Sequence, residues 1–296
     1  MRKLLILFVA TATVASSFGQ NYKESFSKLL AAQDTAGQRS LLLKWEAASP
    51  GDAELYIGWF NYYFFKSKQN ILNLNQSADS TARLELLDST GATAGYLSEQ
   101  INYDKKTLAK GFEQIDAGIS KYPSRLDMRF GKTYALGLLG DYEAFTNEII
   151  RTIDYSKSIN HQWTWSNNKK LEDPEKFLLG TVQKYIVQLY DAGDEQLEHM
   201  KRISETVLKY YPENVECLSN LSIVHSIWKE HDKALVYLLR AEKIAPTDYI
   251  VLNNIANTYA QKGDKANAIK YYKLTLKHGD EEAKEQANRR IKELSQ

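Results

Sequence analysis

The sequence predicts an all-α chain, an α-solenoid of antiparallel helix pairs, with a small β-hairpin inserted near residues 82–103. Three observations carry this reading. Pro212 and Pro246 stand 34 residues apart, each closing an amphipathic stretch. The same shift places Leu218 on Leu252, Asn220 on Asn254, Leu221 on Ile255, Ser222 on Ala256, Ala234 on Ala268, Tyr237 on Tyr271 and Leu238 on Tyr272, so size and polarity recur in register. The 296 residues are 43% hydrophobic with only five prolines and fifteen glycines, enough for a conventional core and too few breakers for a disordered chain.

The opening residues are of another kind. Residues 1–19 have the layout of an export signal: Arg2 and Lys3, an apolar run over 4–15, then small Ser17 and Gly19 ahead of cleavage before Gln20. The run is too short to span a bilayer comfortably, and no cysteine follows it to carry a lipid. The expectation is an exported protein, periplasmic or extracellular in a bacterial envelope, with no transmembrane segment in the mature chain.

Residues 20–123 read as an N-terminal helical region carrying the hairpin insert. Residues 22–33 and 38–47 suggest a first pair of helices. Gly51-Asp52 then opens a third, whose Trp59, Tyr62, Tyr63 and Phe64 read as core rather than as a ligand box. Over 68–103 the helical period fails. Two stretches alternate around Asp88-Ser89-Thr90-Gly91, with Leu84 and Leu86 on one face and Tyr96 on the returning strand. Helix resumes near Asp104 and ends before Pro123. So long an excursion between two helices is a candidate functional element.

Residues 124–296 read as the solenoid proper. The stretch YIVLNNIANTYAQKGDKANAIKYYKLTLKHG sets Leu252, Ile255, Ala256, Tyr259, Gly263, Asp264, Ala268 and Tyr272 in the signature pattern of tetratricopeptide repeats, which this chain resembles. The unit before it keeps Leu218, Leu221, Ser222, Ala234, Leu238, Ala241 and Pro246. It departs at His225, where the family usually has an aromatic residue, and at Lys229, where it usually has glycine. A third unit carries Gly131, Tyr134 and Gly140-Asp141, with a first helix read as about two residues longer than usual. Residues 173–211 form a further pair around Gly193-Asp194 with weak signature content. The resemblance is clearest over 214–279 and extends back to Ser124. It implies a right-handed superhelix, closed by a polar capping helix over 280–295 with Asp280 as its N-cap and Ala283, Ala287 and Ile291 facing inward.

Chemistry is sparse. With 38 basic against 37 acidic residues, the chain lacks the electrostatic footprint of a nucleic-acid binder. His161, His199, His225, His231 and His278 form no metal-ligand pair at helical spacing, and HExxH, phosphate-loop, nucleophile-elbow and Rossmann motifs are missing from the sequence. Cys217, the only cysteine, sits among Val215, Leu218 and Leu221 and reads as a buried small hydrophobe. One cysteine also rules out an internal disulfide framework. The expectation is no enzyme, no metal and no cofactor.

The resemblance implies a scaffold that takes a protein or peptide partner along a concave groove, lined by the first helix of each pair. By register the groove candidates are Met128, Lys132, Ser219, Asn253 and Asn257. Asparagine can both donate to and accept from a peptide backbone. The competing reading is that Asn254 and Asn257 are repeat consensus, tying one helix to the next. A second candidate is the segment HQWTWSNNKKLEDPEK, where Trp163 and Trp165 either form an exposed stacking platform or pin an irregular loop. A platform would suit a glycan, which gives the alternative function of a carbohydrate- or envelope-polymer-binding protein.

Overall fold

The computed structural model describes residues 11–77 and 82–296, so the first half of the expected export signal lies outside the described residues. The chain forms two compact units, one of residues up to Lys132 with Thr164–Lys170, the other of Thr133–Trp163 with Leu171–Gln296. The sequence reading divides the chain before Ser124, whereas the compact units divide inside a helix.

The first unit opens with α1 (Thr11–Ala31), α2 (Thr35–Ala48) and α3 (Ala53–Ser67). Short acidic side chains start the later helices by satisfying free backbone N–H groups: Asp34 accepts from the Gly37 amide and Asp52 from the Glu54 amide. The Trp45 indole donates to Asp52 at 3.0 Å, which fixes a core ring against the same cap. Phe26, Leu42, Trp45, Leu55, Trp59 and Tyr62 form one buried cluster. Of the aromatic run expected in the core, Trp59, Tyr62 and Phe64 are buried, and half-buried Tyr63 stacks on Trp59 at 5.6 Å. After the insert, α4 (Lys105–Lys121) packs on α3 through a missing side chain. A Cβ at Gly118 would come within 2.8 Å of the Tyr56 Cβ.

The insert is a three-stranded sheet, not only a hairpin. Strands β2 (Ala82–Leu87) and β3 (Thr93–Tyr103) make the expected hairpin, its turn closed by the Asp88 amide donating to the Ala92 carbonyl. β1 (Lys68–Asn75) pairs with the other edge of β3, giving the order β1-β3-β2, antiparallel throughout. Apolar alternation is broken in β1, where Ile71 and Leu72 are adjacent, so period alone did not reveal it.

Charges bind the rest of this unit. Arg125, only 1% exposed, precedes α5 (Leu126–Leu138) and makes a two-pronged bond to Asp127, with Nε at 2.8 Å and Nη2 at 2.7 Å. Its Nη2 also lies 2.6 Å from Oε1 of Glu54, itself 5% exposed at the start of α3. Lys23 of α1 reaches Oε2 of Glu54 at 2.8 Å, and the Asn167 amide donates to Oε1 at 2.8 Å. Asn167 belongs to a short ribbon of β4 (Thr164–Trp165) and β5 (Lys169–Lys170). Burial pushes the Glu54 carboxyl up, but the bonds from Lys23 and Asn167 and the Arg125 charge together hold it below the ordinary carboxylate value.

The second unit is a stack of helix pairs. α6 (Tyr142–Ser158) is followed by α7 (Pro174–Ala192), α8 (Leu197–Tyr210), α9 (Val215–Ile227), α10 (His231–Ile244), α11 (Tyr249–Gln261), α12 (Lys265–His278) and α13 (Glu281–Leu294). Asp141, Asp173, Asn214, Asp248, Asp264 and Asp280 each accept a backbone N–H at a helix start, the last as expected. Leu218, Leu252, Ile255, Ala256, Ala268 and Tyr272 are wholly or almost wholly buried in one cluster, so the repeated positions are the packing positions. On α13, Ala287 is buried and Ile291 packs against that cluster. α5, α9 and α11 each have 13 residues, so the first helix expected to be longer is not.

The departures from the repeat pattern have local answers. His225 takes the aromatic place by stacking on Tyr237 at 5.5 Å, with Nδ1 2.6 Å from Glu230. Lys229 adopts φ +61° where the next repeat has Gly263 at φ +83°. An L side chain is disfavoured there.

Arg125→Ala leaves Glu54 buried without its guanidinium and should cost about 3–5 kcal/mol by urea denaturation. Because the folded Glu54 pKa is depressed, its stabilisation is complete above the unfolded value and is lost as pH falls through the folded one. Glu54→Gln should therefore flatten the acid limb of the stability curve. Lys229→Gly should raise stability by about 1 kcal/mol, less the entropy that glycine adds to the unfolded chain.

Candidate functional site

In the second unit the first helices α7, α9 and α11 lie side by side. Between α7 and α9 the Gln183 and Asn220 amides bond reciprocally, at 2.8 Å and 3.4 Å. Between α9 and α11 the Ser226 and Thr258 hydroxyls meet at 3.5 Å. α9 is apolar on nearly every side and packs against α7, α8, α10 and α11, as a helix without a polar face must.

Beside the amide pair, α7 and the start of α9 enclose an open cavity of about 690 Å³, a size suited to a few ligand side chains. Leu179, Gly180 and Gln183 line it from α7, and Asn214, Glu216 and Cys217 from the other side. Gly180 sits in the middle of an α-helix, where glycine costs about 0.5–1 kcal/mol relative to alanine. Nothing lies within 4 Å of where its Cβ would stand, so packing does not require it. Its absent side chain leaves backbone open at the cavity. Lys176 and Lys184 flank it, neither with an ion-pair partner among the described residues, while Glu175 on the same helix lies 3.3 Å from His161.

Cys217 borders this cavity yet is itself 3% exposed. Burial, with the nearby Glu216 charge, pushes its thiol pKa up to about 12. A nucleophilic thiol needs the opposite environment.

The sequence candidates fare unevenly. Met128 has no exposed surface, and its sulfur would lie 3.1 Å from a Cβ on Gly118, so it is core and not groove. Lys132 is half-buried and pairs with Asp116 at 2.6 Å. Ser219 is 9% exposed, on the crowded α9. Asn253 is half-buried. Asn257 accepts a 2.5 Å bond from the Tyr272 hydroxyl, which also accepts from Arg290 at 3.3 Å. That favours the structural reading of Asn257 over a free groove contact. Trp163 is 1% exposed, donates to the Ser156 hydroxyl at 2.7 Å and packs on Tyr155, so it is a pin. Trp165 is half-buried and meets Phe130 in an edge-to-face ring contact at 6.4 Å. The paired platform for a glycan does not form, because Trp163 has no surface to offer.

The α7 residues went unread because residues 173–211 carry little repeat signature, leaving no register to assign. A mid-helix glycine without a packing reason was the available signal.

Residues 249–277 match the family model of the tetratricopeptide repeat. The chain carries a tetratricopeptide repeat. Among solved structures it is similar to YrrB, a TPR protein with an unusual peptide-binding site, at 12% identity over 84% of this chain and 97% of that one, TM-score 0.42. It is also similar to PilW, a widely conserved type IV pilus biogenesis factor, at 9% identity over 91% and 98%, TM-score 0.41. A third is TTC0263, a thermophilic TPR protein of Thermus thermophilus, at 14% identity over 63% and 91%, TM-score 0.37. Likeness at this level carries no binding residue across. Comparison with curated proteins gives no match. Among the described residues no helix is long and apolar enough to cross a membrane, and no cluster of three metal-ligating side chains occurs.

The Cys217 environment is directly testable. Ellman's reagent at pH 8 should leave the native thiol unreacted and titrate one thiol per chain after unfolding in guanidinium.

Proposed function

We propose that this protein is a non-catalytic scaffold that holds a polypeptide segment of a partner protein in the cavity between α7 and α9. The observation that carries the reading is the open cavity itself, lined in part by apolar Leu179 and by Gly180. A preformed site on packed helices loses little entropy on binding, and a glycine in its lining admits a chain closely. The charged lining is mixed, with Lys176 and Lys184 beside Asp173, Glu175 and Glu216. The tetratricopeptide repeat at 249–277 supports a protein or peptide as ligand.

We also propose export to a bacterial envelope or beyond, on the strength of Arg2, Lys3, the apolar run and the small residues before Gln20.

A photoreactive residue at Lys184, in cells, identifies the partner segment. The purified partner is then titrated against the parent protein and Gly180→Trp, a change that fills the cavity from an exposed helix position and is tolerated by helix propensity. Affinity should fall about tenfold or more, the loss of about 1.4 kcal/mol. Unchanged affinity in Gly180→Trp, with capture at Lys184 no greater than at exposed Lys273, would place the working surface elsewhere.

A further inference from the structure

The three-stranded insert has two unlike faces. Cross-strand partners share a face, so the register Leu74↔Leu97↔Leu84 lays three leucines in a row across all strands. Leu72, Ile101 and Leu87 share that face by the same register. The opposite face is mostly polar, at Gln69, Asn73, Asn75, Ser98 and Gln100, and also carries Ile71 and Tyr96; there the Asn73 amide bonds Gln100 at 3.0 Å and the Asn75 amide the Ser98 hydroxyl at 3.0 Å. A concentration of apolar side chains on one face is the mark of a sheet covered on that face. Here the apolar face is uncovered: Leu72 is 67% exposed, Leu74 68%, Leu84 56%, Leu87 60% and Ile101 46%.

We infer that this face packs against the same face of a second copy of the chain. Area and stacking geometry each favour that occupant. Five side chains this exposed present on the order of 500 Å² of apolar surface, at the upper range for the largest patch on a monomer. Doubled across a two-fold axis, the contact reaches about 1,000 Å², where specific interfaces begin. Two sheets stack face to face at about 10 Å with interdigitating side chains, and a row of leucines across three strands offers that surface to its own copy.

Sedimentation equilibrium of the full chain should show a concentration-dependent dimer. Leu74→Asp with Leu84→Asp should abolish it with helical circular dichroism unchanged, while Asn73→Asp on the polar face should not. Oxidation of Leu74→Cys should trap the dimer, Cys217 being buried. A monomer at every concentration, a dimer that survives the paired aspartates, or aspartate-sensitive binding to phosphatidylglycerol vesicles by a monomer would overturn the inference.

Discussion

Arg125 lies inside the first unit with its guanidinium set between the carboxylates of Glu54 and Asp127, and four separate pieces of chain converge on the Glu54–Arg125 pair. Lys23 brings α1, Glu54 the start of α3, Arg125 and Asp127 the start of α5, and Asn167 the short ribbon. Hydrophobic contact is tolerant of small displacements, whereas a buried ion must find its partners at hydrogen-bond distance or remain desolvated and unpaired. The cluster therefore acts as a gauge. Only one arrangement of these segments satisfies Glu54, whose oxygens take bonds from side chain and backbone alike. A leucine in place of Arg125 would bury as well and would specify far less.

The second unit relies on a different constraint. Repeated small and large residues at fixed spacing allow one packing solution to be used again, with Leu218 and Leu252, or Ala234 and Ala268, in equivalent buried places. Exceptions are absorbed locally. His225 is accepted because an imidazole can stack on Tyr237 as a ring and still satisfy its polar edge through Glu230. Lys229 is accepted because a turn tolerates one strained residue when the helices on both sides fix it.

Much of this was legible in the sequence wherever a period existed. The repeat register located the packing positions of α9 to α12, and the aspartates marked helix starts because a short carboxylate reaches its own following amides. The hairpin was legible from its turn, but β1 was not, since adjacent Ile71 and Leu72 mask its alternation. Site reading was weaker for a physical reason. Register says which side of a helix a residue occupies, not what stands opposite it. Met128 had a groove position on paper and a core position in space, and Trp163 looked like a platform until Ser156 and Tyr155 were seen against it. The α7 cavity arises from two helices whose sequences share no pattern.

The hydroxyl of Tyr272, bonded to Asn257 on one side and Arg290 on the other, gives the end of the stack a graded mechanical character. α13 buries only Ala287 among its residues, so its opening exposes little and costs little compared with any helix nearer α9. When α13 frays, Arg290 leaves, and the hydroxyl it held is anchored from one side alone. The Tyr272 hydroxyl thus joins three helices at one atom, with α12 supplying the phenol, α11 the Asn257 amide and α13 the Arg290 guanidinium.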